Sequence, residues 1–325
     1  MKAMVYSQYG SPEVLHLKEI EKPIPGEDEI LVKVKSTSVN RSDCAMLLAK
    51  PLIMRFGTGL FKHSNPILGT EFAGEIESIG KAVTTFRKGD RVFGFDDRGL
   101  SSYAEYLVIK EDLGLATIPN GITFEEAGAC MEGAHYAYNF INKVDLQSGD
   151  KVLVNGASGG IGSAAVQLLK YYGAEITAVC ATQSMELVKS LGASRVIDYT
   201  QEDFIRDQIK YDYVFDTVGK SSFGACKSLL NDGGVYISSE LGKNSQNIFL
   251  SLASAIFGSL PGQSGKQVKF PYPPNIKRSV LLIRKLIGEG KFKPVIDRTY
   301  SMKEIPDAFN YVLTGQKIGN VAISV

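Results

Sequence analysis

A glycine-rich turn is the segment of this sequence whose chemistry is most directly inferred. It runs Asn155-Gly156-Ala157-Ser158-Gly159-Gly160-Ile161-Gly162, between an apolar strand pattern (151–155) and a helical pattern (163–172). Glycines let backbone N–H groups approach a pyrophosphate, and the positive end of the helix stabilises its charge. Ser158, Gly159, Gly160, Ile161 and Gly162 are therefore candidate dinucleotide-binding residues. A turn that serves packing alone is the alternative, since Ala157 replaces the usual first glycine.

The end of the next predicted strand, 175–180, indicates which dinucleotide would fit. An Asp or Glu there commonly binds the ribose 2′-hydroxyl of NAD, but this chain continues Ala181-Thr182-Gln183-Ser184. The hydroxyls of Thr182 and Ser184 can donate hydrogen bonds to a 2′-phosphate, which predicts NADPH rather than NADH. Both residues could also cap the helix that begins at Met185.

Two regions of different pattern surround these motifs. Up to about residue 120, alternating runs such as 29–35 and 103–108, separated by glycine turns, indicate a β-rich domain. Farther on, apolar strand patterns alternate with helical patterns, which is typical of a parallel, doubly wound sheet. These strands are predicted at 151–155, 175–180, 195–199, 212–216 and 234–238. The predicted fold class is α/β, a β-rich domain plus a doubly wound Rossmann domain.

Composition excludes several classes of protein. The 36 Lys and Arg nearly balance the 35 Asp and Glu, so nothing indicates a nucleic-acid partner. The longest apolar run, 248–260, is shorter than the roughly 20 residues of a membrane span. Four scattered cysteines and a start without a signal-peptide pattern predict a cytoplasmic location. Three histidines and four isolated cysteines show no metal-ligand spacing, so no metal is expected.

The ordered set of motifs resembles the medium-chain dehydrogenase/reductase superfamily, in its zinc-free, quinone-reductase-like branch. The motifs are Ser38 to Asp43, Pro66 to Gly74, Lys88 to Gly94, the glycine turn, Leu187 to Ala193, Val196 to Tyr199 and Phe215 to Gly219. The resemblance implies a GroES-like catalytic domain at 1–120, completed by 270–325, and a Rossmann domain at 121–269. It also implies a homodimer through the Rossmann sheet, with its edge near 235–239.

Zinc members of this superfamily carry a cysteine at the position of Asn40 and a histidine at that of Thr70. Their third ligand position falls near Cys130 and Glu132, and one ligand cannot hold a tetrahedral catalytic site. The resemblance therefore implies chemistry without zinc.

Several candidate site residues follow from the resemblance. Asn40 is the first candidate for donating a hydrogen bond to the substrate oxygen, with a loop-capping role as the alternative. Asp43 is expected to hold the turn or the amide of the cofactor. His135 and Tyr136 are candidate proton donors, although either could be buried by helix packing. Tyr199, Thr217, Val218 and Gly219 are expected at the cofactor, and a strand-end role is the alternative for Tyr199.

The function that these features predict is NADPH-dependent, metal-free hydride transfer to a quinone or an α,β-unsaturated carbonyl. The negative charge that forms on such a substrate spreads onto an oxygen that one or two hydrogen bonds can stabilise. A non-catalytic NADPH-binding sensor or scaffold is the main alternative, and a zinc alcohol dehydrogenase is a third. The apolar segments 45–61 and 248–260 are either lids or walls of an apolar substrate pocket, or ordinary core helices.

Overall fold

The computed structural model describes residues 1–50, 55, 59, 65–272 and 275–325. The chain divides into two compact units, Met1–Glu132 with Ile276–Val325, and Gly133–Asn275. The boundaries predicted from sequence, at residues 120 and 269, lie earlier in both cases. Residues 121–132 belong to the first unit because a helix there packs on its sheet. A Cβ placed on Gly128 of that helix would lie only 2.8 Å from the Oγ of Ser36.

The first unit is mainly antiparallel sheet. Its larger sheet has the order β14-β15-β3-β4-β5-β7, with β6 also paired to β3, and all pairs are antiparallel except β14 with β15. A separate two-stranded sheet pairs β1 with β2. The strands are β1 (Lys2–Val5), β2 (His16–Glu19), β3 (Glu29–Val39), β4 (Glu71–Ile79), β5 (Arg91–Phe95), β6 (Tyr106–Lys110), β7 (Leu115–Thr117), β14 (Ile296–Ser301) and β15 (Asn320–Ser324).

Two apolar clusters hold this unit together. One fills the sheet interior, where Phe72 and Val92 are fully buried. The other joins the C-terminal segment to the first strands, with the ring of Phe309 packed edge-on to Tyr103. The helices of this unit are α1 (Arg41–Leu48), α2 (Phe124–Gly128), the start of α3 (Met131–Ile141), α8 (Ile276–Gly288) and α9 (Ile305–Leu313). The C-terminal 50 residues therefore complete the β-rich unit.

The second unit is a six-stranded parallel sheet of order β10-β9-β8-β11-β12-β13. Its buried strands are largely apolar, as expected of a parallel sheet covered on both faces. The strands are β8 (Lys151–Asn155), β9 (Glu175–Cys180), β10 (Arg195–Asp198), β11 (Tyr211–Asp216), β12 (Leu230–Ser238) and β13 (Gln267–Lys269). The helices are α4 (Gly160–Tyr172), α5 (Met185–Leu191), α6 (Phe223–Cys226) and α7 (Gln246–Phe257), with the rest of α3. The predicted α/β class, a β-rich domain plus a doubly wound parallel sheet, is confirmed.

The edge of the Rossmann sheet is not where the sequence places it. Residues 235–237 of β12 pair with residues 267–269 of β13, so β12 is an interior strand. The expectation of an edge near 235–239 is wrong, because the short β13 gave no recognisable strand pattern.

The structure describes the two apolar segments, 45–61 and 248–260, to different extents. Most of the predicted lid at 45–61 lies outside the described residues, and within them Leu47 of α1 is fully buried. The segment 248–260 forms most of α7, whose Phe249 and Ile256 are 67% and 74% exposed. Leu250, Ala253 and Leu260 of the same segment pack against the core of the second unit, so one face of the segment is core and the other is exposed.

Two further features bear on the expected setting of the protein. Among the residues that the structure describes, no helix is both long and apolar enough to cross a membrane. The four cysteines, Cys44, Cys130, Cys180 and Cys226, are all free thiols and all buried.

The glycine turn makes a specific prediction about folding. A Cβ on Gly162 would lie 2.1 Å from the backbone oxygen of Gly156, whereas one on Gly159 would come no closer than 3.5 Å to that oxygen. Gly162→Ala should therefore lower the free energy of unfolding by about 1–3 kcal/mol, the usual cost of overpacking. Gly159→Ala, the matched control, should cost less than about 1 kcal/mol. Urea unfolding followed by circular dichroism measures both, and equal values would contradict the close approach.

Candidate functional site

Asn40 lies between the end of β3 and the start of α1, and it is almost fully buried. Its Nδ2 donates to the Oγ of Ser38 (2.7 Å) and to Oε1 of Glu71 (3.0 Å). Its backbone N–H donates to Oδ2 of Asp43 (2.9 Å), so Asp43 holds the turn. Both amide hydrogens of Asn40 are thus engaged by protein groups. In this arrangement Asn40 fixes its neighbours, and donating to a substrate would require one of these bonds to exchange.

Glu71, on β4, forms hydrogen bonds with both the Asn40 turn and the start of α3. It begins β4 and is buried, and its Oε1 accepts from Asn40 and from the hydroxyl of Ser38. Its Oε2 accepts from the backbone N–H groups of Met131 (2.7 Å) and Glu132 (3.1 Å). The N–H groups of a helix's first turn have no carbonyl partner within the helix. Glu71 therefore caps α3 from a different element.

Glu132 forms the second half of this network. Its Oε1 accepts from the hydroxyl of Ser42, and its Oε2 accepts from Oγ1 of Thr70 (2.9 Å). Asn40 and Ser42 lie where β3 passes into α1, and Thr70 and Glu71 lie at the start of β4. Hydrogen bonds to the two glutamates thus join three separate segments of the chain into one buried polar cluster. We call it the carboxylate cluster: Asn40, Ser42, Asp43, Thr70, Glu71 and Glu132, with Ser38.

Burial dominates the electrostatics of the carboxylate cluster. Burial and the charge of Glu132 raise the pKa of Glu71 to about 7. Burial also raises the pKa of Glu132, and burial with the charge of Glu132 raises that of Asp43 well above its ordinary value. Lys317 is a positively charged residue that interacts electrostatically with this cluster. Burial lowers the pKa of its ammonium group, and the negative charges of Glu132 and Glu71 oppose that change. The pKa of each of the three carboxyl groups is therefore above its ordinary value.

Sequence reasoning did not select Glu71, Glu132 or Lys317 as functional residues. Glu71 stood inside the motif Pro66 to Gly74, and Glu132 stood near the third ligand position of zinc relatives, so the available signal was a carboxylate within an otherwise apolar or small-residue segment. For Lys317 no sequence signal existed, because only the fold brings the C-terminal segment to this cluster.

His135 and Tyr136 lie farther along α3, in the second unit. His135 is completely buried, its Nε2 lies 3.0 Å from Nδ2 of Asn139, and burial lowers the pKa of its imidazole to about 4. At neutral pH this imidazole is uncharged. Tyr136 is half-buried and stacks edge-on against the His135 ring. Of the two predicted proton donors, Tyr136 is thus the more accessible.

The carboxylate cluster does not offer a zinc ligand set. Asn40 and Thr70, the residues that replace the Cys and His of zinc relatives, present an amide and a hydroxyl that are bonded to glutamates. Catalytic zinc sites use three histidine, cysteine or carboxylate ligands with an open fourth position. Within the described residues, no group of three or more His, Cys, Asp or Glu side chains is arranged to hold a metal ion.

The glycine turn lies between β8 and α4, as predicted. Gly159 is the N-terminal cap of α4, without a side-chain hydrogen bond, so the N–H groups of Gly160, Ile161 and Gly162 begin the helix uncapped. Gly156 has φ of +79° and a Cβ there would contact Val218 at 2.3 Å. The turn therefore presents helix N–H groups at the carboxyl end of a parallel sheet, which fits a dinucleotide pyrophosphate.

The segment Thr217-Val218-Gly219 follows β11 and is fixed by two buried polar groups. Oγ1 of Thr217 donates to the backbone oxygen of Asn155 (2.7 Å), next to the glycine turn. Oδ1 of Asp216 accepts from the side chain of Asn155 (3.0 Å) and from the N–H of Gly219 (3.1 Å). Asp216 thus joins the ends of β8 and β11 on the side of the sheet where dinucleotides bind.

The end of β9 carries a contact that the sequence did not predict. The hydroxyl of Thr182 donates to Oδ2 of Asp198, at the end of β10, and lies 3.1 Å from the hydroxyl of Thr200. Asp198 also accepts from the N–H of Thr200 (2.9 Å). Ser184 is buried, whereas Tyr199 is 58% exposed. A carboxylate therefore does lie at this strand end, contributed by the neighbouring strand.

Comparisons with known proteins agree with this architecture. A family model for the alcohol dehydrogenase GroES-like domain matches residues 26–120, and one described as zinc-binding dehydrogenase matches residues 191–323. The 2-methylene-furan-3-one reductase of Solanum lycopersicum is 32% identical over 99% of this chain and 79% of its own length. The chloroplastic NADPH-dependent alkenal/one oxidoreductase of Arabidopsis thaliana has the same identity and coverage.

Among solved structures, the quinone oxidoreductase from Coxiella burnetii has a similar fold. Its TM-score is 0.84 at 24% identity, and the match covers 100% of this chain and 99% of that chain. The chain belongs to the medium-chain dehydrogenase/reductase superfamily, in its quinone and enone reductase branch. The resemblance drawn from the sequence motifs is confirmed.

The carboxylate cluster predicts how stability depends on pH. An acid whose pKa is raised by folding adds stability that is fully present below the unfolded pKa, about 4.3. That stability is lost as the pH rises through the folded pKa, which is about 7 for Glu71. The thermal midpoint should therefore fall between about pH 5 and pH 8. Glu132→Gln should make this fall shallower, because it removes the charge that raises the pKa of Glu71.

Thermal melts by circular dichroism across this range measure the slope. Glu75→Gln, at an exposed position of the same strand as Glu71, is the control and should keep the wild-type slope. Equal slopes for wild type and Glu132→Gln would show that the two glutamates are not coupled.

Proposed function

We propose that this protein is an NADPH-dependent reductase of α,β-unsaturated carbonyls or quinones that works without a metal. The observation that carries the proposal is the carboxylate cluster, because hydrogen-bonded amide, hydroxyl and carboxyl groups stand where zinc relatives hold their ligands. Such groups can stabilise or protonate an enolate or hydroquinone oxygen but do not polarise a carbonyl as a metal does. The names of two relatives, a 2-methylene-furan-3-one reductase and an NADPH-dependent alkenal/one oxidoreductase, support this substrate class.

NADPH would be held by the second unit, and it supplies the hydride when bound. The glycine turn, with Ser158 to Gly162, would hold the pyrophosphate through backbone N–H groups. Thr217, Val218 and Gly219 would line the neighbouring strand end. Thr182, Ser184 and Tyr199 are proposed near the 2′-phosphate; Thr182 and Tyr199 are exposed, whereas Ser184 is buried.

The first unit would handle the substrate oxygen. Asn40 is proposed as the amide of this site, holding Glu71 and Ser38 in place and able to exchange one of these bonds for the oxyanion. Tyr136 and His135, on the part of α3 that belongs to the second unit, are proposed as candidate proton donors. Since the imidazole of His135 is neutral and bonded to Asn139, Tyr136 is the better proton donor of the two.

The setting of the protein is a further part of this proposal. We propose a cytoplasmic protein, which agrees with four free, buried thiols. A homodimer is also proposed, and the end strand of the described Rossmann sheet next to β12 is β13 rather than β12. An edge strand has unpaired backbone groups and can pair with the same strand of a second copy about a two-fold axis.

The function is tested with a panel of enones, enals and quinones, following NADPH oxidation at steady state. Wild-type protein should oxidise NADPH with at least one acceptor, and Asn40→Ala should lower kcat about 10²-fold while binding NADPH normally. The thermal midpoint of Asn40→Ala must be measured as well, since the residue also holds the turn. Tight NADPH binding without turnover on any acceptor would favour the alternative, a non-catalytic sensor or scaffold.

The cofactor preference is tested at Thr182. Thr182→Asp would place a second carboxylate beside Asp198, where it would repel a 2′-phosphate. We expect the Kd for NADPH to rise about tenfold or more, equivalent to about 1.4 kcal/mol, with a smaller change for NADH. Ser190→Asp, an equal change of charge on the exposed surface of α5, should alter neither Kd. Fluorescence titration with both reduced cofactors gives the values, and tighter NADH binding by wild type would contradict the preference.

A further inference from the structure

Asp216 carries a carboxyl group at the carboxyl end of β11, and this group is completely shielded from solvent. Its two oxygens accept five hydrogen bonds of 3.0–3.4 Å, all from neutral donors. The donors are the side chains of Asn155 and Tyr236 and the backbone N–H groups of Val218, Gly219 and Ser221. Burying a carboxyl group is costly unless its hydrogen bonds are satisfied. The five donors therefore fix this carboxyl group, and the carboxyl group fixes the segments that carry them.

The two oxygens of Asp216 bond to different parts of the chain. Oδ1 accepts from the side chain of Asn155, the last residue of β8 (3.0 Å), and from the N–H of Gly219 after β11 (3.1 Å). Oδ2 accepts from the N–H of Ser221 (3.1 Å) and from the hydroxyl of Tyr236 on β12 (3.0 Å). Burial and the charge of Asp216 raise the pKa of Tyr236, so this hydroxyl stays protonated and donates. A side-chain amide has one acceptor oxygen, so it could serve only one of these two groups of donors.

The glycine turn and the segment that follows β11 are in direct contact beside this carboxyl group. The N–H and Oγ1 of Thr217 both donate to the backbone oxygen of Asn155 (3.1 and 2.7 Å). A Cβ on Gly156 would lie 2.3 Å from Cγ1 of Val218, so the Val218 side chain occupies the space next to the turn. The side chain of Asn155 is held by Asp216 at the same point. A shift of either segment would therefore displace the other or break its bonds to Asp216.

Asp212, near the start of the same strand, forms a comparable set of bonds at the opposite end of the sheet. Its Oδ2 accepts from the N–H of Lys151 (2.9 Å), and its Oδ1 accepts from the side chain of Asn231 (2.7 Å). Lys151 begins β8 and Asn231 lies near the start of β12. Dinucleotides bind at the carboxyl ends of parallel strands, not at these amino ends. Asp212 therefore joins strands alone, whereas Asp216 also holds the two segments proposed to bind the cofactor.

We propose that Asp216 is a positioning residue for NADPH, which holds the glycine turn and the segment after β11 in the one arrangement in which both bind the cofactor. The inference rests on the proposed function, in which these two segments hold NADPH. Because Asp216 is completely buried, it acts through Asn155, Val218 and Gly219 rather than by contact with the cofactor. Loss of its carboxyl group should therefore weaken NADPH binding even while the sheet stays folded.

Asp216→Ala and Asp212→Ala are a matched pair for the first test, since each removes a hydrogen-bonded carboxyl group from β11. Both variants should have a lower thermal midpoint than wild type. Only Asp216→Ala should bind NADPH more weakly, with a Kd about tenfold higher or more, while Asp212→Ala should stay within about twofold of wild type. Fluorescence titration measures Kd at a temperature where circular dichroism shows all three proteins folded. A wild-type Kd in Asp216→Ala, or an equal rise in both variants, would overturn the proposal.

Asn155→Ala covers the case in which Asp216→Ala does not fold, since it removes one donor to the carboxyl group, the one next to the glycine turn. Tyr236→Phe is its control, because it removes another donor to the same carboxyl group, from β12. Asn155→Ala should raise the Kd for NADPH about fivefold or more, whereas Tyr236→Phe should lower the thermal midpoint and change Kd less. In that case, a wild-type Kd in Asn155→Ala, or a larger rise in Tyr236→Phe, would overturn the proposal.

Turnover on an acceptor that wild type reduces gives the second readout. Because Asp216 does not touch the reacting atoms, Asp216→Ala should raise the KM for NADPH more than it lowers kcat at saturating NADPH. Asp216→Asn can still accept from one group of donors, so it should recover part of the lost affinity. A fall in kcat with an unchanged KM, or an Asn variant that binds NADPH more weakly than the Ala variant, would contradict the positioning role. Wild type that binds no NADPH is a different result and would reject the proposed function itself.

Discussion

Glu71 accepts four hydrogen bonds, two at each carboxyl oxygen, from two segments that are distant in sequence, Ser38 with Asn40 and Met131 with Glu132. Side chains of the turn after β3 bind one oxygen, and the first backbone N–H groups of α3 bind the other. Four hydrogen bonds hold this carboxyl group in one position. Each donor keeps its hydrogen bond only while the carboxyl group stays in that position. The turn that carries Asn40, the start of β4 and the start of α3 therefore have their geometry fixed by one buried side chain.

The consequence for chemistry is that polar groups, not a metal, define this part of the protein. In zinc relatives a metal ion compensates the buried negative charge, whereas the carboxyls of this cluster are bonded by hydroxyls, an amide and backbone N–H groups. The hydrogen-bond donors of such a network are fixed, but its carboxyl groups can gain or lose a proton. Its protonation state is thus set by burial and by mutual repulsion, which makes it sensitive to changes that a closed metal site would tolerate.

Much of the fold was predictable because it rests on patterns that are local in sequence. The strands β8, β9 and β11 read as short apolar runs, and the glycines 156–162 marked the turn between strand and helix. The clusters of the site were not predictable in this way. Asp198 contacts Thr182 from a neighbouring strand, Glu71 caps a helix sixty residues later, and the charges of both glutamates act on Lys317 in the C-terminal segment. Sequence spacing carries no information on such contacts, and β13 was missed because three residues are too few to show a period.

The burial of all four thiols has a practical consequence for spectroscopy and crosslinking. Burial raises the pKa of each thiol, of Cys180 and Cys226 to about 11, so the reactive thiolate is scarce at neutral pH. The native protein should thus give little background with maleimide reagents while it stays folded. One cysteine introduced at an exposed position, such as Ser190 on α5, would then carry a dye or spin label without removal of the native cysteines.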